Sequence, residues 1–182
     1  MINIKQNYKK LLSKSIIFFL SGCATNIADN IEPVNNFEIN KYLGTWYEIA
    51  RLDHSFEEGM QNVTANYSMR DDGGIKVINS GYRVEEKQWS SAEGVAYFIN
   101  ESKKNEAYLK VSFFRPFYAS YVVFEVDKDY QYAFVGGNSQ EYLWLLSRTK
   151  TVDPAIKSKF ISEAKAKGYK TEELIWVSHE KR

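Results

Sequence analysis

The sequence predicts an all-β fold: an eight-stranded antiparallel up-and-down barrel with one C-terminal α-helix packed outside. Three observations predict it. Apolar residues alternate at period two from Tyr42 to Arg148, turn residues interrupt them at short intervals, and the period changes to that of a helix after Asp153. Short connections between consecutive strands favour a meander, and eight strands closed on themselves leave room for side chains or one small ligand.

The strands follow in order. Trp46–His54 is the first run. In Val63–Met69, residues Val63, Ala65, Tyr67 and Met69 share one face, and Arg70–Gly74 behind it is a hairpin turn whose glycines allow positive φ. Ile75–Tyr82, Ala92–Ile99, Tyr108–Phe114, Tyr121–Val126, Tyr132–Val135 and Tyr142–Arg148 complete the eight. Asp153 is then an N-cap, Pro154 a first helical residue and Gly168 a C-cap. Ile156, Phe160, Ile161 and Ala164 form the apolar stripe between them. Leu174–Val177 reads as a short last strand.

The N-terminus is a separate region. Lys5, Lys9, Lys10 and Lys14 form a basic head, Ile16–Leu20 an apolar run, and Ser21 and Gly22 a small-residue exit. This is the order of parts in a secretory signal, and the run is too short to span a membrane. Cys23, the single cysteine of the chain, follows directly. It has no disulfide partner, and with only His54 and His179 beside it no zinc site is expected. The domains expected are therefore a signal peptide over 1–22, a polar tether over 23–36, the barrel with its helix and last strand over 37–178, and a tail over 179–182.

Removing residues 1–22 with their four lysines takes the formal charge from +1 to −3. That argues against nucleic acid as a partner. Thirteen Tyr, eleven Phe and four Trp in 182 residues supply an unusually aromatic core. No phosphate loop, metal cluster or nucleophile motif appears, so neither a metal nor a cofactor is expected, and Glu57-Glu58 reads as a solvated loop pair.

Four short stretches carry a family resemblance. Leu20-Ser21-Gly22-Cys23 resembles the lipobox of bacterial lipoproteins. Gly44-Thr45-Trp46-Tyr47, Asp129-Tyr130-Gln131-Tyr132 and Leu145-Leu146-Ser147-Arg148 match, in order and spacing, the three signature stretches of lipocalins. Together they resemble the bacterial outer-membrane lipoprotein lipocalins, on the branch of apolipoprotein D and the plant temperature-induced lipocalins. The resemblance implies cleavage before Cys23, lipid (palmitate among it) on that cysteine, and an outer-membrane anchor on the periplasmic face. It also implies that Trp46 plugs the closed end of the barrel with Arg148 across it, a structural pair worth about 0.5–2 kcal/mol as a cation over an indole.

That pair orients the barrel. The connections His54–Asn62, Arg83–Gln88, Arg115–Ser120 and Gly136–Glu141 lie at the mouth, where Phe56, Met60, Phe117 and Tyr118 are apolar. Arg83 and Arg115 there read singly as solvated loop charges and together as partners for a phosphate or carboxylate head group. Alternation then assigns the wall: Ala65, Tyr67, Met69, Val77 and Asn79, then Leu109, Val111 and Phe113, then Val122 and Phe124, and Tyr142, Trp144 and Leu146 on the last strand. The expected partner is a small apolar ligand, a fatty acid or lysophospholipid, stored or transported with its tail down. The mouth aromatics read equally as an entrance or as a lid, with a homodimer contact as a third reading. A lipid-modifying enzyme would instead need a titratable cluster inside the barrel, where carbon is expected, and a haem carrier would use His54 as axial ligand.

Overall fold

A computed structural model describes residues 26–180. Nine strands form one sheet. β1 (Gly44–Arg51), β2 (Met60–Met69), β3 (Ile75–Arg83), β4 (Gln88–Phe98), β5 (Tyr108–Phe114), β6 (Phe117–Val126), β7 (Tyr132–Gly136) and β8 (Leu143–Ser147) pair antiparallel in sequence order. β1 pairs with both β2 and β8 and closes the ring. The expected barrel with a helix outside it is observed. β6 begins four residues earlier than the sequence indicates, so the mouth connection before it shrinks to Arg115 and Pro116.

Helix α1 (Ile39–Tyr42) crosses the closed end and delivers the chain into β1. Helix α2 (Pro154–Ala166) lies against the outside of the barrel. Asp153 caps it by accepting the Ala155 amide at 2.7 Å, and Gly168 ends it at φ +88°. Phe160 and Ala164 are buried beneath it, whereas Ile161 of the expected stripe is exposed. Two apolar clusters result. One fills the lower barrel around Trp46, Tyr42, Tyr67 and Val77. The other lies between the outer wall and α2, around Phe134, Leu145 and Phe160.

The terminal segments differ from expectation. Residues 28–36 do not hang free as a tether. Ala28 and Ile31 are buried in the outer cluster, the Ala28 amide donates to the Gly137 carbonyl at 3.2 Å, and the Val34 amide donates to Val123 at 2.9 Å. The strap therefore runs from the mouth loop after β7 down the outer wall. It passes beneath the barrel, where the Phe37 amide meets the Asn105 carbonyl at 2.8 Å. Its apolar residues are spaced too widely for a strand pattern, which is why it reads as polar linker. At the other terminus, β9 (Ile175–Trp176) pairs with the upper part of β1. The β1–β2 ladder covers only Gly44–Tyr47. Above it, Val177 donates to the Ile49 carbonyl at 3.0 Å and Asn62 donates to the Ser178 carbonyl at 2.8 Å, so residues 175–178 fill the seam. His179 is no free tail: its Nε2 donates to the Glu48 carbonyl at 2.7 Å.

Candidate functional site

A cavity of about 450 Å³ occupies the barrel, within the roughly 300–1,000 Å³ of small-molecule sites. Its floor is sealed from below. The Trp46 indole nitrogen donates to the Tyr42 carbonyl at 2.7 Å, and the Arg148 guanidinium lies 3.8 Å from the Trp46 ring centroid. Arg148 also donates to the carbonyls of Lys41 (2.7 Å), Thr45 (2.8 Å) and Leu43 (2.9 Å), which ties α1 across the closed end. Above the indole, the hydroxyl of Tyr121 bonds those of Tyr42 (2.6 Å) and Tyr67 (2.9 Å). Burial pushes all three phenols above their ordinary range, so they stay neutral.

The lower wall is carbon: Ala65, Tyr67, Ile75, Val77, Ala96, Leu109, Val111 and Leu146. Higher up it turns polar, with Asn79, Ser80, Ser90, Ser112 and Arg83. The Asn79 Oδ1 and Ser112 Oγ atoms are buried with no hydrogen-bond partner among the described residues. Arg83 makes no ion pair among them, and Phe56, Met60, Phe113, Phe117 and Tyr118 ring the opening.

Of the residues expected on the wall, Ala65, Tyr67, Val77, Asn79, Leu109, Val111, Phe113, Tyr142, Trp144 and Leu146 line the cavity. Met69 shares their parity but sits where β2 leaves the barrel at the closed end, and it is exposed. Val122 and Phe124 face outward into the cluster under α2, where Phe124 stacks on Tyr169 at 6.4 Å. The inward residues of β6 are Ala119 and Tyr121, with Val123 in the lower core beneath them. Both faces of β6 are apolar because α2 and its following loop roof the outer one, so alternation alone does not distinguish them. Arg115 is exposed on the rim and does not line the cavity.

The interior is not all carbon. Glu48, Arg51, His54 and Glu57 form a buried cluster on the upper wall between β1, the loop after it and β8. Arg51 donates to Glu48 Oε1 at 2.7 Å and to the Glu57 carbonyl at 2.7 Å. Trp144 Nε1 donates to Glu57 Oε2 at 3.2 Å, and His54 Nε2 lies 3.2 Å from the same oxygen. Burial, then the Glu57 charge, pushes the Glu48 carboxyl well above the usual range despite Arg51. Burial raises Glu57 as well, but His54, Glu48 and Trp144 together bring it below its ordinary value. The surroundings thus favour the proton on Glu48 and the negative charge on Glu57. Glu57 is not the solvated loop residue its Glu-Glu context indicates, while Glu58 is exposed. The only sequence signal is the placement of Glu48 at inward parity two residues above Trp46.

A sequence profile of the lipocalin-like domain matches residues 37–179. The chain is 56% identical over 162 residues to the outer membrane lipoprotein Blc of Vibrio cholerae, a match spanning 88% of this chain and 93% of that one. It is 32% identical over 157 residues to temperature-induced lipocalin-1 of Arabidopsis thaliana, covering 79% and 80% of the two chains. Among solved structures, insecticyanin from the tobacco hornworm Manduca sexta superposes with a TM-score of 0.65 at 17% identity, covering 86% of this chain and 88% of that one. At that identity the likeness is one of fold alone.

Proposed function

Starting from the fact that the chain belongs to the lipocalin family, we propose that it stores or transports a fatty acid or lysophospholipid in the bacterial envelope, tail in the barrel and head at the mouth. The observation that carries this reading is the cavity's graded wall: apolar below Val77 and Val111, polar toward Asn79, Ser112 and Arg83. Each methylene buried there stabilises the complex by about 0.8 kcal/mol, and the Arg83 guanidinium is placed for a phosphate or carboxylate. The unpartnered Asn79 and Ser112 oxygens are the groups a head or glycerol hydroxyl would satisfy.

Cys23, which lies outside the described residues, is the proposed attachment point for lipid. Two or more acyl chains make a stable anchor where one does not. This agrees with the outer-membrane lipoprotein name of the V. cholerae relative, and it puts the protein at the outer membrane.

The buried Glu48–Glu57–His54 cluster is the feature that favours the enzyme alternative. Its carboxyls are bonded to Arg51, Trp144 and each other, and neither ring nitrogen of His54 is hydrogen-bonded to a serine, threonine or cysteine among the described residues. Among the described residues the cluster assembles no nucleophile–base pair, and the cavity's graded wall makes binding the stronger reading.

The test is displacement of an environment-sensitive fluorophore from the full chain carrying Cys23→Ser. Palmitate or a lysophospholipid is expected to displace it at micromolar concentration. Failure of both classes overturns the reading.

A further inference from the structure

We infer that the open end docks flat against the membrane surface to which Cys23 is attached, with Phe56, Trp89, Phe114 and Phe117 entering the interfacial layer. The inference rests on the reading that Cys23 carries lipid.

Two independent observations converge on it. The first is the distribution of exposed large apolar side chains. Phe56 is 67% exposed, Trp89 64%, Phe114 76% and Phe117 61%. They belong to three of the four mouth connections or the strand ends beside them, and Phe114 stacks on Phe117 at 6.3 Å. The closed end exposes Met69 and Ile99 but no aromatic ring among the described residues. Its turns carry charges paired among themselves, Arg70 with Asp72, Lys103 with Glu106 and Lys104 with Glu101. Exposed aromatic rings gathered at one end only are the pattern of a protein that meets lipid at that end.

The second observation is where the strap leaves the barrel. Ala28 is fixed to Gly137, in the mouth connection between β7 and β8. Only four residues, 24–27, separate Cys23 from Ala28, and the five chain steps between them span at most about 18 Å. β2 has ten residues, so the barrel is roughly 25 Å tall along its axis once strand tilt is included. A leash starting at the mouth and shorter than the barrel cannot bring the closed end to the membrane. It holds the mouth there, which selects the bilayer over a second copy as occupant of the rim. The rim carries Glu58, Glu85 and Glu86 beside Arg83, Lys87 and Arg115, so docking is expected to depend on apolar contact and little on anionic lipid.

The test uses the full lipidated chain, reconstituted in phosphatidylcholine vesicles with brominated acyl chains. Flotation reads the anchor and bromine quenching of tryptophan reads the docking. Expected is flotation, with a quenched component that disappears in Trp89→Phe. A tryptophan placed by Met69→Trp at the closed end, in the Trp89→Phe background, is expected to be quenched at least twofold less than Trp89. Phe114→Ser with Phe117→Ser is expected to reduce Trp89 quenching without loss of flotation. Flotation without Trp89 quenching, or equal quenching at both ends, overturns the docking inference and leaves the anchor standing. Loss of flotation overturns the anchor and the inference with it. Trp89 shielded from aqueous iodide but not quenched by bromolipid, in a concentration-dependent way, assigns the rim to a second copy and overturns it equally.

Discussion

The Arg148 guanidinium lies 3.8 Å from the Trp46 ring centroid while its nitrogens donate to three backbone carbonyls around helix α1. Stacking and a planar fork of donors are used at once, and a single ammonium cannot supply both. Arg148→Lys is therefore expected to destabilise the fold by about 2 kcal/mol. Urea denaturation should show a lowered midpoint with an unchanged slope. A midpoint equal to that of the wild type would mean that water replaces those bonds without penalty.

The two faces of the wall should separate in binding and stability. Val111→Trp fills the cavity and is expected to weaken fluorophore or fatty-acid binding at least tenfold, with an overpacking penalty of about 1–3 kcal/mol. Phe124→Ala removes a ring from the outer cluster and is expected to cost about 3–5 kcal/mol while leaving affinity unchanged. Loss of affinity in Phe124→Ala would return that residue to the cavity.

Glu48 holds its proton past the pH at which an unfolded glutamate loses its own. Above about pH 5 the native state then binds more protons than the unfolded one, and this group makes stability fall as pH rises. Glu57 works in the other direction: its lowered value adds stability that is lost as pH falls through its native titration. Glu48→Gln keeps a donor toward Glu57 and removes the titration. Its unfolding free energy between about pH 5 and about pH 8 should slope less than that of the wild type, and identical slopes would refute the retained proton.

A methyl group at Gly136 would sit 2.5 Å from the Tyr169 hydroxyl oxygen and 2.7 Å from Ile31 Cδ1, both in buried residues. Gly136→Ala is expected to cost about 1–3 kcal/mol and to loosen the strap. Hydrogen exchange at the Ala28 amide, bonded to Gly137, should accelerate more than exchange within β3 and β4.

Much of this architecture was legible in period-two alternation because most strands present one dry face and one wet face. Val63–Met69 reads correctly for that reason, apart from its last residue, which alternation cannot know has left the barrel. β6 reads wrongly because α2 dries its second face, and no local pattern records the arrival of a helix from thirty residues on. The strap was illegible since Ala28, Ile31 and Val34 match no single element's period. The carboxyl cluster was hidden by Glu57-Glu58, two identical residues of which the turn buries one. Trp46 and Arg148 were found through spacing to a known pattern, since nothing in either residue's neighbourhood announces a contact across 102 positions.

The wedge of residues 175–178 makes one part of the wall depend on a remote segment. Above Tyr47 the ring is completed, among the described residues, by the bonds from Val177 to Ile49 and from Asn62 to Ser178. That seam can part without breaking any ladder from β2 to β8, so amide exchange at Val177 and Asn62 reports breathing of the wall and not global unfolding.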